Sequence, residues 1–149
     1  MLRPARPADA QAVASLLIAA RRTWLPYAPS PHSDDAVHGW VQHVLLPDGG
    51  VSVWEADGQI VGVLATAQDE AGGWIEQLYL LPGHAGQGIG SQLLAHAHAT
   101  LPRPVQLYTF QQNDGARRFY ERHGYQAVQF RDGSDNEEHC PDVLYRWPG

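Results

Sequence analysis

Between the apolar run Trp74-Ile75-Glu76-Gln77-Leu78-Tyr79-Leu80-Leu81 and a helical stretch from about Gln87 to Ala99 lies the loop Pro82-Gly83-His84-Ala85-Gly86-Gln87-Gly88-Ile89-Gly90-Ser91. A strand that turns through glycines into a helix N-terminus restricts the chain to folds that lay helices on a sheet. Gly86, Gly88 and Gly90 alternate, removing side chains where backbone N–H groups would otherwise be shielded. With the positive end of the helix dipole, those groups make a site for a pyrophosphate. A plain flexible connection is the alternative for the same residues. A Walker loop is excluded, because it needs a lysine and the ten basic residues are all arginine. The dinucleotide fingerprint Gly-x-Gly-x-x-Gly is excluded by the spacing Gly86-x-Gly88-x-Gly90. The following strand, Val105-Gln106-Leu107-Tyr108-Thr109, also lacks the acidic residue that a ribose would need.

The rest of the chain extends the alternation of sheet and helix. Leu2-Arg3 reads as a short strand. Pro7 opens a helix whose Val13, Leu16, Leu17 and Ala20 recur at helical spacing and which ends near Arg22. Pro26, Pro29 and Pro31 make Thr23 to His32 irregular, and Ser33 with Asp34 and Asp35 caps a second helix to about Val44. Val51 to Glu55 and Gln59 to Ala67 are joined by Asp57-Gly58, a hairpin turn. After the glycine loop and its helix, a strand spans Val105 to Phe110. Asn113 caps a further helix that Gly124 terminates, and two extended runs follow, Gln126 to Arg131 and Val143 to Trp147. The order β-α-α-β-β-β-α-β-α-β-β predicts a mixed sheet with helices on both faces, an α/β class in the broad sense. No linker or repeat divides residues 1–149, so a single domain is expected.

Composition narrows the function. A net charge of −6 argues against a nucleic-acid partner. Without lysine, Schiff-base and lysine-base chemistry are unavailable. No apolar run approaches the ~20 residues of a membrane span. Met1-Leu2-Arg3-Pro4-Ala5 lacks the apolar segment of a secretory signal, so a soluble, cytoplasmic protein is expected. The lone Cys140 offers neither a disulfide nor a zinc framework, and its acidic flanks disfavour a thiolate. His96 and His98 project from different helix faces and make a poor metal pair; with His84 and His123 they read as surface residues, and no metal is expected.

The glycine loop resembles the coenzyme-A loop of the GNAT superfamily of N-acetyltransferases, which reads Arg/Gln-x-x-Gly-x-Gly/Ala. Gly88 and Gly90 match its glycines, whereas Ala85 stands in the Arg/Gln position. The run Asn113-Asp114-Gly115-Ala116-Arg117-Arg118-Phe119-Tyr120-Glu121-Arg122-His123-Gly124-Tyr125 is similar throughout to the family signature Asn-x-x-Ala-x-x-Phe-Tyr-x-x-x-Gly-Phe/Tyr. With the element order, the resemblance extends from Arg3 to Trp147. It implies an α/β (α+β) fold: a mixed, mostly antiparallel sheet of six to seven strands, flanked by about four helices. The implied activity is direct transfer of acetyl from acetyl-CoA to a primary amine, on a small molecule or a peptide. A non-catalytic acyl-CoA sensor on the same fold is the alternative. A homodimer is compatible with either.

The same resemblance assigns residues. The backbone of Leu78, Tyr79 and Leu80 would hold the acetyl and pantetheine portion, and Ala85, Gly86, Gln87, Gly88, Ile89, Gly90 and Ser91 the pyrophosphate, with Asn113 and Tyr120 beside them. Tyr120 matches the tyrosine next to the coenzyme-A sulfur. A phenol of pKa ~10 facing a thiol of ~8.5 acts as a hydrogen-bond donor to the thiolate as much as an acid; a packing role on the helix is the alternative. Glu76 matches a glutamate that serves as base, often through water, although a one-residue register change would put Gln77 there. Trp24, Tyr27 and His32 lie in an aromatic, proline-rich loop that either covers the acceptor or merely packs. Glu137 and Glu138 belong to the acidic stretch 132–142, which is either acceptor site or solvated turn.

Overall fold

The computed structural model describes residues 1–28 and 30–149. Seven strands form one sheet in the order β1-β2-β3-β4-β5-β7-β6. They are β1 (Leu2–Pro4), β2 (Val51–Ala56), β3 (Gln59–Asp69), β4 (Gly72–Leu80), β5 (Val105–Phe110), β6 (Gln126–Arg131) and β7 (Asp142–Trp147). Every neighbouring pair is antiparallel except β4 with β5. At the β2–β3 hairpin, Asp57 (φ 52°) and Gly58 (φ 77°) are both left-handed, as a two-residue turn matched to strand twist requires.

Four helices of more than one turn cover the sheet: α1 (Ala10–Trp24), α2 (Asp34–Trp40), α4 (Ile89–Thr100) and α5 (Asp114–Arg122). α2 runs on through a π-helical turn, Val41–Leu45, into the single turn α3 (Leu46–Asp48). Leu46 N–H reaches back to Val41 O across that wide turn. The proline at 47 cannot donate to a regular ladder, and the wider turn accommodates it. Helices lie on both faces, as expected from the element order. Val13, Leu16, Leu17 and Val41 pack with Val53, Val63 and Ala65 on one face, and Leu93, Leu94 and Ala97 pack with Leu64, Val105 and Tyr145 on the other. β3 is buried from Ile60 to Ala65, which explains its unbroken apolar run.

Several boundaries differ from expectation by two or three residues: α1 proper begins at Ala10 after a 3-10 turn at Pro7–Asp9, β3 runs on to Asp69, and β4 begins at Gly72. α1 continues to Trp24 rather than stopping near Arg22, because the residues before Pro26 remain free to be helical. α4 starts at Ile89 instead of Gln87, because its cap Gly88 sits at φ 81°, outside the helical region. All four histidines read as surface residues are half-buried, and two of them engage other side chains. His98 stacks on Trp147 at 3.6 Å and bonds the Tyr125 hydroxyl at 2.8 Å, and His123 bridges α5 to α4. No helix among the described residues is long and apolar enough to cross a membrane.

Candidate active site

The sheet carries a seam. β4 and β5 run parallel but are paired only at Gly73↔Val105 and Trp74↔Gln106. That end is drawn tight by glycine: Gly73 N–H is shared by Pro102 O and Pro104 O at 2.9 Å each, and a Cβ on Gly73 would stand 2.6 Å from that of Leu101. Beyond it the strands part. A cleft of about 320 Å³ opens, with Glu76, Gln77 and Tyr79 of β4 on one side and Tyr108, Thr109 and Phe110 of β5 on the other. Arg21, Asn113, Arg131, Glu138 and Asp142 are among the other residues that line it.

A bulge sets the β4 wall. Ala65 pairs with Gln77 and Thr66 with Ile75, so Glu76 has no partner across β3. The extra residue breaks the strict alternation, and Glu76 and Gln77 both line the cleft. Further along, Leu81 N–H donates to Val61 O at 2.8 Å. Alternation along an antiparallel strand then gives the Tyr79 N–H to β3 and turns those of Leu78 and Leu80 toward the seam, where β5 has departed. Tyr79 contributes its side chain instead. Its phenol lies beside Arg21, and burial pushes its pKa up.

The glycine loop leaves a row of donors. Gly83, Gly86 and Gly88 have φ of 95°, 80° and 81°, a backbone that side-chain-bearing residues rarely adopt. A Cβ on Gly86 or Gly88 would meet nothing within 4 Å, so these glycines are required by conformation and not by crowding. The first helical bond of the segment is Gln92 N–H to Gly88 O at 3.2 Å. Among the described residues, the N–H groups from Gly86 to Ser91 therefore have no protein acceptor. They gather at the α4 N-terminus, where the helix dipole favours an anion. The Ser91 hydroxyl turns away to His123 Nε2 at 3.1 Å. Because His123 Nδ1 lies 2.8 Å from the carbonyl oxygen of Phe119, Nδ1 carries the proton and Nε2 accepts from Ser91. Ala85 and Gln87 are exposed on the loop, and Ile89 is buried beneath it.

Asn113 and Tyr120 belong to the other motif. Asn113 Oδ1 accepts Ala116 N–H at 3.2 Å as the α5 cap, which leaves its amide nitrogen to the cleft. Tyr120 is 7% exposed and packs against Phe119, Tyr125 and Tyr145. It lies in the α4–α5 core next to the cleft and is not part of its lining. Burial first, then the neighbouring Tyr79 and Tyr125, raise its pKa far above the ordinary phenol value. Its hydroxyl stays protonated and has no hydrogen-bond partner among the described residues.

The two loops singled out for an acceptor meet each other. His32 Nε2 lies 3.1 Å from Glu137 Oε2, and Cys140 packs with Leu25 and Ala28 under Tyr27, Tyr79 and Phe110. Tyr27 sets its ring edge-on to Phe110 at 6.3 Å, and burial pushes its pKa up to about 12. Trp24, at the end of α1, is exposed and stands outside the cleft lining. Glu138 lines the cleft, whereas Glu137 points outward to His32.

The 132–142 loop is more than a solvated turn, because a network invisible in the sequence holds it. Arg131 grips Asp142 with two bonds of 2.8 and 2.6 Å. Asn136 bonds both backbone groups of Cys140, at 2.7 and 3.1 Å, and Gln111 ties Arg131 O to Asp142 O. Gly133 (φ 92°) is pressed onto the Cys140 backbone. Arg21 is a further cleft residue that the motifs do not indicate. The sequence does carry a signal for it: Arg21 continues the Val13–Leu17 spacing, a charge on an otherwise apolar helix face.

The Acetyltransferase (GNAT) family model matches residues 15–125. The chain belongs to the GNAT acetyltransferase family. No curated protein matches it in sequence. Among solved structures it resembles an acetyltransferase from Thermus thermophilus (18% identity, TM-score 0.78, covering 100% of this chain and 96% of that one). It also resembles the PaiA N-acetyltransferase of Thermoplasma acidophilum in complex with coenzyme A (16%, 0.76, 100% and 98%). A third is Arabidopsis thaliana Naa50 with the bisubstrate analogue CoA-Ac-MVNAL (20%, 0.73, 100% and 98%). At these identities the shared feature is the fold: a seven-stranded mixed sheet with four flanking helices, in agreement with the sequence.

Proposed function

We propose that this GNAT acetyltransferase moves acetyl from acetyl-CoA directly to a primary amine in a ternary complex. The observation that carries the reading is the row of unpaired N–H groups from Gly86 to Ser91 beside the open seam. The backbone makes that cradle, so Ala85 in place of the family Arg/Gln removes a side-chain contact without removing the donors. The PaiA complex with coenzyme A and the Naa50 complex with its bisubstrate analogue support the same choice of ligand.

In this mechanism Glu76, exposed at the bulge, takes the proton from the incoming ammonium, directly or through water. The amine nitrogen bonds to the acetyl carbonyl carbon, the carbon–sulfur bond breaks with its electron pair on sulfur, and the nitrogen's second surplus proton passes to that sulfur or to water. The N–H groups of Leu78 and Leu80 face the place where the thioester would lie. Tyr120, kept neutral by burial, donates a hydrogen bond to the departing thiolate. The position of Glu138 on the cleft favours an amine that arrives positively charged.

Acetyl-CoA should raise the melting temperature, and a panel of amines should then release coenzyme A thiol. Tyr120→Phe should lower turnover by ~10²–10³-fold with little change in acetyl-CoA affinity. Binding without thiol release for any amine would favour the acyl-CoA sensor. Unchanged turnover in Tyr120→Phe would make the tyrosine a packing residue.

A further inference from the structure

Of the charged groups on the cleft, Arg131 and Asp142 are committed to each other. Among the described residues, Glu76 and Glu138 have no ion-pair or hydrogen-bond partner, and Arg21 has no carboxylate within salt-bridge distance. Arg21 is half-buried, donates one long bond of 3.4 Å to Ala28 O, lies within hydrogen-bonding reach of the Tyr79 phenol, and leaves its Nε without an acceptor among the described residues. The Tyr27 hydroxyl, on the loop that follows α1, is also buried without a partner among the described residues. The part of the guanidinium that meets the cleft remains available for a charge-assisted, two-point bond to a carboxylate. Arg21 lines both the cleft and a second depression of about 370 Å³, whose apolar lining includes Leu17, Ile18, Leu25 and Val37.

Resting on the acetyl-transfer reading, we infer that the acceptor carries a carboxylate as well as its amine, and that Arg21 is the residue that holds this carboxylate. The substrate class is an amino acid or a short peptide-like amino carboxylate. Three placements converge on it. Arg21 is, among the described residues, the one cation on the cleft without a carboxylate partner, and it faces a wall that otherwise offers two free carboxylates, Glu76 and Glu138. A zwitterion matches that pattern at both ends, with its ammonium toward the glutamates and its carboxylate toward α1. A dication would place a charge against Arg21, and a neutral amine would leave Arg21 unpaired. Tyr79, which has both Arg21 and Glu138 as charged neighbours, spans the interval between the two ends. α1 and α4 pack on opposite faces of the sheet, so Arg21 is not needed by a phosphate at the glycine loop. The second depression shares Arg21 and Leu25 with the cleft and offers Leu17, Ile18 and Val37 to an apolar side chain on the amino carboxylate.

The test compares matched pairs that differ only in the anion, such as phenylalanine with phenylalaninamide and leucine with leucinamide, by coenzyme A release from acetyl-CoA. The wild type should prefer each acid by about 10- to 100-fold in kcat/KM, expressed mainly in KM, the scale of one charge-assisted bidentate contact. Arg21→Gln should erase the preference while the KM for acetyl-CoA stays unchanged, and Arg21→Lys should restore part of it. Amides used as well as acids by the wild type, or a preference that survives Arg21→Gln, would overturn the inference. If no amine of either kind releases coenzyme A, the acetyl-transfer reading fails by itself. Calorimetry of the same pairs with the wild-type protein and coenzyme A then decides the anion site. Tighter binding of the acid that Arg21→Gln abolishes supports it, and equal or absent binding overturns it.

Discussion

Replacing Gly133 by alanine tests whether the 132–142 loop is a built wall of the cleft. Gly133 sits at φ 92°, and a Cβ there would lie 2.6, 2.7 and 2.8 Å from the C, N and O atoms of Cys140. A left-handed alanine costs about 1–2 kcal/mol. The contacted atoms are backbone, so relief requires the loop to lift and Cys140 to lose its packing on Leu25 and Ala28, about another 1–2 kcal/mol. A total of about 3 kcal/mol lowers the melting temperature by ~6–12 °C for a chain of this size. Gly86→Ala is the internal control. Its φ is 80°, but its Cβ meets nothing within 4 Å, so strain alone, about 1 kcal/mol, gives a drop of ~2–4 °C. Thermal unfolding followed by circular dichroism reads both values. Michaelis constants separate the functions: Gly133→Ala should weaken the acceptor and spare acetyl-CoA, and Gly86→Ala should do the reverse. Equal temperature drops, or an acceptor constant untouched by Gly133→Ala, would refute the reasoning.

Gly88→Val forces a β-branched residue into φ 81° at the α4 cap and should abolish the acetyl-CoA thermal shift in a folded protein. Gly90→Val should act less through strain, since its Cβ would make ordinary contacts of 3.5 Å with Phe119; a retained shift in the Gly88 variant would dismiss the cradle. Glu138→Gln should raise the KM for cationic amines by about 5- to 30-fold. Glu137→Gln, at an exposed pair with His32, should change it by less than about 2-fold, and equal effects would count against the placement of Glu138 in the cleft. Burial holds the His98 pKa below its ordinary 6.5, so the unfolded chain binds the proton more readily. The stability from this histidine is complete above pH 6.5 and is lost as pH falls through the lower folded value. An acid limb of the stability profile that persists unchanged in His98→Gln would assign it to other groups.

The features legible in the sequence are those coded by neighbours in the chain. The glycine alternation before α4, the Asn113 cap with Gly124 at the other end, and the Asp57-Gly58 turn each need only a few adjacent residues to set their backbone. Their observed limits lie close to those the sequence predicts. The β4 bulge is not legible, because whether Glu76 or Gln77 faces a cleft depends on where β3 inserts its register shift at Ala65 and Thr66. The 132–142 loop does not read as structured for a related reason. Arg131 meets Asp142, and Gly133 meets Cys140, only after β6 and β7 have paired. The histidines show the same limit: His98 depends on Trp147, which lies far along the chain on β7.

The seam gives this sheet two inward-facing strand edges in addition to the outer ones on β1 and β6. An unpaired edge is ordinarily a template for foreign strands and a route to aggregation. Here the exposed length is short, because Gly73 and Trp74 close it at one end. The loops carrying Tyr27 and Cys140 pack together over it, and the free carboxylates of Glu76 and Glu138 face whatever enters. A second sheet cannot approach such an edge. The exposure that invites amyloid-like pairing elsewhere is here confined to the short gap between β4 and β5.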